Sequence, residues 1–339
     1  MSQLHLFAGG NTSRGFFSCF ADILPAQEQK RMFYIKGGPG VGKSTLMRRV
    51  AEAAEQKGLK VEYYHCSSDP DSLDGISLPE RGLAMMDGTS PHVYDPVIPG
   101  ARDTLLSLGD YLQEGEMRSH AQEIDRIQRA ISQRFQRCYS FLSAAGELSR
   151  LCGTGEVKCK AAQEQVEKWT ELLPLRGGEG KVRSLFGSAY TPKGLVQFLP
   201  AEGFRTYYAE CPTGLHLTEM WHSLSSAASQ RGLPVVVLLN PLLPSQVDGV
   251  LLPAQGMLFH VCAPETRTEA VPAERLFQLS DSGEQERSFD HNACELMQQR
   301  ALEQLKAAKA LHDELEAHYV GHMDFLGWQK KLDQVLAEV

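Results

Sequence analysis

The stretch from Arg31 to Ala54 constrains most strongly what this chain can fold into. Arg31-Met32-Phe33-Tyr34-Ile35-Lys36 is rich in aromatic and branched residues, as in a buried strand, and Ser44 to Ala54 carries apolar residues at helical spacing. Between them Gly37, Gly42, Lys43 and Ser44 meet every fixed position of the Walker A template, G-x-x-x-x-G-K-[ST]. A strand that enters such a loop and leaves it as a helix aims successive N–H groups and the positive end of a helix dipole at one point, the geometry that captures a phosphate. Glycine is needed because a Cβ would block the close approach of backbone to ligand. The sequence therefore assigns Gly38, Pro39, Gly40, Val41, Gly42, Lys43, Ser44 and Thr45 to a nucleotide. Lys43 is expected at the β- and γ-phosphates, Ser44 on Mg²⁺, and Thr45 on the α-phosphate side of the first helical turn.

The chain has 339 residues, enough for two domains that each bury a core. A net charge of −8 argues against nucleic acid and against an anionic membrane surface as partners. No apolar run is long enough to span a bilayer, and Met1-Ser2-Gln3-Leu4-His5-Leu6 lacks the form of a secretory leader, so a cytoplasmic protein with no membrane contact is expected. Eight cysteines without a C-x-x-C pair fit reduced, buried thiols better than a zinc site or a disulfide framework.

The chain also repeats itself. Leu6 to Gly15 is echoed by Leu185 to Gly194, Gln56 to Val61 by Gln230 to Val235, and Asp74 to Pro79 by Asp248 to Pro253. Matched blocks in one order at nearly constant spacing predict a duplication. The sequence reading places Gly38 to Thr45 opposite Cys211 to Thr218, so that Gly42, Lys43 and Ser44 give way to Leu215, His216 and Leu217. The second loop is then expected to bind no triphosphate. Gly82 to Asp87 is an apolar strand ending in an acid, the Walker B form, whereas the matched Gly256 to Val261 ends without one, which makes Asp87 a Mg²⁺ ligand and catalytic companion of Lys43.

Several further residues follow from the same contrast. Asp69, at the carboxyl end of the strand Val61 to Tyr64, has Leu243 as its counterpart and is read as a third catalytic group, orienting water or receiving a proton. Asp74 is kept as Asp248 and reads as a turn or helix cap. Thr89 and His92 are candidates for sensing a γ-phosphate. Ile124, Ile127, Ile131, Phe135, Cys138 and Leu142 on one long helix, and Leu305, Ala308, Leu311, Leu315 and Tyr319 on another, form stripes expected to pack the helices on each other or on the cores, with a homodimer as the alternative. Glu314, His318 and His322 read as a solvated face rather than a metal site. Leu279 to Gln285 loosely matches a transport-ATPase signature but lies in the wrong place. A guanine-selective Asn-Lys-x-Asp is absent, which points to ATP.

Gly10-Asn11-Thr12, Lys36 to Thr45, His65 to Gly75, Asp87 to His92 and His312-Asp313-Glu314-Leu315-Glu316 together resemble a bacterial family of tandem P-loop ATPases. The resemblance implies ATP binding and hydrolysis and supplies no physiological substrate. Both copies can carry a P-loop in that family, so the departure at Leu215, His216 and Leu217 argues against two nucleotides per chain. The fold expected is α/β, with duplicated P-loop NTPase-like three-layer αβα domains, a mostly parallel sheet in each and helical additions after each core. The boundaries are a live core at 1–112, helices at 113–175, a linker at 176–183, a degenerate core at 184–290 and terminal helices at 291–339. ATP hydrolysis leads as the function. The alternatives are a kinase with Asp69 as acceptor base, and a nucleotide-gated module whose silent copy holds a protein partner.

Overall fold

The computed structural model describes residues 3–90, 93–152, 160–200, 203–210, 216–262, 272, 275–278 and 287–338. The chain is α/β, with two mixed six-stranded sheets, each mostly parallel. The first half contains β1 (Leu4–Phe7), the hairpin β2 (Gly9–Thr12) and β3 (Gly15–Ser18), β4 (Arg31–Lys36), α1 (Lys43–Gln56), β5 (Glu62–Cys66), β6 (Asp69–Leu78), β7 (Leu83–Asp87) and β8 (Asp103–Ser107). Three helices follow it: α2 (Glu114–Met117), α3 (Ala121–Cys152) and α4 (Lys160–Glu171). The second half contains β9 (Val182–Leu185), the hairpin β10 (Ser188–Thr191) and β11 (Gly194–Gln197), β12 (Arg205–Glu210), α5 (Thr218–Gln230), β13 (Val235–Leu239), β14 (Val247–Leu252), β15 (Met257–Cys262) and β16 (Leu276–Gln278). It ends in α6 (Arg287–Val320) and α7 (Phe325–Leu336).

The first sheet runs β1-β5-β6-β7-β4-β8 and the second β9-β13-β14-β15-β12-β16, which is the same order element for element. In each, the third strand of that order runs against both neighbours, and the other pairings are parallel.

The repeated sequence blocks turn out to be repeated local devices. Thr12 Oγ1 donates to the Gly15 carbonyl and accepts from Arg14 N–H at the first hairpin, as Thr191 does with Gly194 and Lys193 at the second. Helix α1 stops at Gly58, whose φ of 76° no branched side chain tolerates, with Leu59 N–H bonded to Ala54 O. Helix α5 stops at Gly232 in the same way, with Leu233 bonded to Ala228.

The first sheet buries Phe33, Ile35, Tyr63, Ile76 and Met85 on one face, against Leu46, Met47, Val50 and Ala54 of α1 and Trp328 and Leu332 of α7. Its other face, where a three-layer arrangement would place helices, packs Met32, Tyr34, Tyr64 and Met86 against Phe20, Ile23 and Leu24 of the β3–β4 connection. That connection holds only a one-turn helix at Phe20–Asp22. Helix α4 follows the first half in sequence but packs on the second: Trp169 is buried and stacks on Trp221 of α5 at 6.1 Å, beside Phe259 of β15. The segment 176–181 is pinned between the halves, Gly180 N–H bonding Ser229 O and the Lys181 ammonium bonding Glu28.

The halves meet through one reciprocal pair and one clasp present on a single side. Phe7 and Phe186 exchange both backbone hydrogen bonds, at 2.9 and 3.0 Å. Beside them Arg183 clasps Glu62 through two bonds of 2.7 and 2.9 Å, and Tyr64 donates its hydroxyl to the same carboxylate. Burial alone would raise the Glu62 carboxyl, but the Arg183 charge and hydrogen bonds leave it below its ordinary value.

The two long helices pack on each other as their stripes predict. Cys138, Leu142 and Ala145 of α3 are buried against Ala301 and Leu305 of α6, and Ile127 against Leu315. No helix among the described residues is long and apolar enough to cross a membrane.

Candidate functional site

The loop between β4 and α1 is built as its sequence demands. Gly40 and Gly42 have φ values of 70° and 85°, and Gly42 stands in the left-handed region immediately before the first helical residue, Lys43. Val41 is a buried anchor rather than part of the loop's inner wall, Pro39 is half-buried, and Thr45 is exposed on the first helical turn. The Lys43 ammonium lies across the loop, donating to Gly37 O at 3.1 Å and Gly38 O at 2.8 Å. It also stands 3.6 Å from the Asp87 carboxylate.

Asp87 ends β7 beside Ile35 of β4, because the parallel register carries the neighbouring strand to the same edge of the sheet. It is buried, and burial pushes its carboxyl above the ordinary value against the opposing charge of Lys43, with Asp74 pushing the same way as burial. Thr89 turns back on it, giving Asp87 Oδ1 a backbone N–H at 2.8 Å and its hydroxyl. His92, the other sensor candidate, lies outside the described residues.

Ser44 Oγ accepts from the Leu73 N–H of β6 at 3.0 Å, leaving its proton and a second lone pair free of that bond. Asp69 opens β6 at the same edge, after a tight turn from β5 rather than in a strand-to-helix loop. Its carboxylate accepts from Ser72 Oγ at 3.1 Å and pairs with Lys309 of α6 at 3.4 Å. Asp74 is no turn or helix cap. It is a buried residue within β6, and its carboxyl faces the Cys66 thiol, which burial first and then Asp74 push far up. The matched Asp248 is raised to about 6 by burial, with the Asn240 amide opposing at 3.0 Å.

The second half corrects one expected replacement. Thr218 Oγ1 accepts from Val247 N–H at 3.2 Å, the counterpart of the bond between Ser44 and Leu73 N–H. The strand register is the same in both halves, Arg31 facing Leu83 and Arg205 facing Met257. Hence Ser44 matches Thr218, Lys43 matches Leu217 and Gly42 matches His216. The second half has the hydroxyl and lacks the lysine and the glycine. Leu217 is buried, and the His216 Nε2 is buried with no hydrogen-bond partner. Leu215 and the rest of 211–215 lie outside the described residues, as does the segment Leu279 to Gln285.

Sequence reasoning missed the roof of the site. The last turns of α6 and the start of α7 lie directly on the glycine loop. A Cβ on Gly38 would stand 2.6 Å from the Tyr319 ring, one on Gly40 2.7 Å from Val320, and one on Gly42 3.0 Å from Trp328 Nε1. The loop glycines therefore admit these helices as well as any ligand. His312, Asp313 and Glu316 of α6 bring one potential ligand atom each within 4.8 Å of one another, but Asp313 is already held by Lys309. Further along, Glu314 pairs with Arg126, and the rings of His318 and His322 lie 5.2 and 5.4 Å from His120. No local signal pointed to the roof, because Leu311, Leu315 and Tyr319 carry the core stripe unbroken past His312 to Glu316.

Comparison with protein families finds one match, between residues 16–84 and the model of the family described as Nephrocystin 3, N-terminal. The matched stretch runs from β3 into β7 and contains the whole glycine loop between β4 and α1. No curated protein and no solved structure matches the chain.

Proposed function

We propose that this chain is a P-loop protein that binds Mg-ATP and hydrolyses it in the first half only, and that the second half is a copy of the same unit without a working phosphate loop. The observation that carries the reading is the convergence of Lys43 on the loop carbonyls and on Asp87 at the start of α1. The loop also offers backbone N–H groups at left-handed glycines beneath the roof of α6 and α7, and the N-terminal end of a helix of 14 residues.

The oxygen donors suit a hard divalent cation, since Ser44 supplies a hydroxyl and Asp87 a carboxylate. Mg²⁺ held there supplies charge neutralisation at the transferring phosphoryl group. Lys43 stabilises the β- and γ-phosphate oxygens, and the loop N–H groups do the same without reorganising. Asp69 orients the attacking water, with Lys309 balancing its charge. The keeping of Thr218 beside the loss of Lys43 and Asp87 equivalents separates the hydroxyl's structural bond from the charged groups the chemistry needs.

A second reading has its own support. Because α6 and α7 rest on the phosphate loop and α6 also packs along α3, occupancy of the loop bears on the helices that follow both halves. This favours a nucleotide-gated binding module. Phosphate release from Mg-ATP by the purified protein, abolished in Lys43→Ala, is the expected result. ATP binding without release supports the module, and release at an unchanged rate in Lys43→Ala removes the role given to the loop.

A further inference from the structure

A cavity of about 420 Å³ opens beside the phosphate loop, within the range of about 300–1,000 Å³ usual for small-molecule sites. Its walls include Gly109, Leu112, Met117, Ala121, Ile124 and Tyr319, from the segment after β8, α2, the first turns of α3 and the end of α6. Two of these residues also border the loop. The Gly109 N–H lies 3.6 Å from where a Cβ of Gly37 would stand, and the Tyr319 ring is against Gly38. Leu108 N–H bonds Lys36 O at 2.8 Å, so the strand end that feeds the loop also fixes this wall.

The loop thus has two chemically different ends, both under one helix. At one end stand Asp87, Asp69 and Lys309; at the other stands the cavity, where aliphatic side chains and the tyrosine are joined by the exposed Glu114, Arg118 and Asp125. Lys309 and Tyr319 are ten residues apart on α6, about 15 Å along a helix axis. A nucleoside triphosphate has the same asymmetry, an anionic tail and a flat heterocycle that gains from apolar and aromatic contact. The exposed Gln128, on the same cavity wall, offers both a donor and an acceptor to a base edge.

We infer that this cavity holds the base and ribose of the nucleotide whose phosphates occupy the loop, which orients the γ-phosphate toward Asp69 and Lys309. The inference rests on the proposed nucleotide reading, and the test separates the two. Ala121 is exposed at the first residue of α3, so Ala121→Trp fills the cavity while leaving the core untouched. Titration calorimetry with Mg-ATP and with magnesium tripolyphosphate compares a ligand that has a base with one that does not. Wild type should bind ATP at least tenfold more tightly than tripolyphosphate. Ala121→Trp should weaken ATP at least tenfold, leave tripolyphosphate within twofold and keep the wild-type melting temperature. Lys43→Ala should weaken both ligands. Equal wild-type affinity for the two ligands, or an Ala121→Trp protein that binds ATP as wild type does, overturns the cavity assignment while leaving the loop intact. Wild type that binds neither ligand overturns the nucleotide reading and this inference with it.

Discussion

The two six-stranded halves share strand order, strand sense, helix stops and hairpin clamps, yet only one carries a lysine and an acid at its loop. The features they share are those that backbone geometry requires: a left-handed glycine to end a helix, a hydroxyl to accept a strand N–H. The features they do not share are charges, which no fold requires. The difference therefore sorts the site. Ser44 and Thr218 make the same backbone bond in the two halves, whereas Lys43 and Asp87 face Leu217 and Val261, so on the proposed reading they are the groups the chemistry needs.

The comparison breaks most readily at the aromatic cores. Trp169 belongs by sequence to the first half and by packing to the second, so Trp169→Ala should cost about 3–5 kcal/mol, read as a lower denaturant midpoint with loss of the second half's sheet first. Equal loss of both halves would show that they fold as one unit. Next in size is Asp248, whose folded value of about 6 lies above its unfolded one, so its contribution falls as pH rises between about 4 and 6. Asp248→Asn removes that dependence and should gain up to about 3 kcal/mol relative to wild type on going from pH 4 to pH 7. A stability difference that is flat with pH would place the acid in a solvated site. The smallest effect sharpens the sorting: Ser44→Ala and Thr218→Ala should each lose about 1–2 kcal/mol, because each leaves a strand N–H without its acceptor. Only Ser44→Ala should also lose Mg²⁺-dependent ATP affinity.

Much of this was legible because the informative signals are local. The strand, loop and helix of residues 31–56 stand where aromatic runs and helical spacing put them, and Asp87 ends a strand beside them. The repeat was visible because Gly58 and Gly232, needed for their φ values, sit in matching sequence. The register of the second loop was misread by one residue because it was drawn on the likeness of Pro39 and Pro212. The bond of Thr218 to Val247, which corrects it, joins residues far apart in sequence. Asp74 was read as a turn or cap residue because the second half keeps it as Asp248, yet the antiparallel β6 carries it into the core. The roof over the loop was beyond local reasoning, since Tyr319 and Gly38 meet only through the packing of α6 along α3.

The reciprocal bonds between Phe7 and Phe186 have the form of a two-fold contact, the same residue of each half serving as donor and acceptor to the other. On the proposed duplication, this seam is a homodimer interface written into a single polypeptide. In a true homodimer any change to the loop strikes both sites together, and losing the lysine would silence the assembly. Once the two protomers are covalently joined, that constraint is lifted: one site can drift while the seam keeps its reciprocal backbone bonds. The chain is then an asymmetric machine inside a symmetric frame, with inheritance of the contact preserved and inheritance of the chemistry divided.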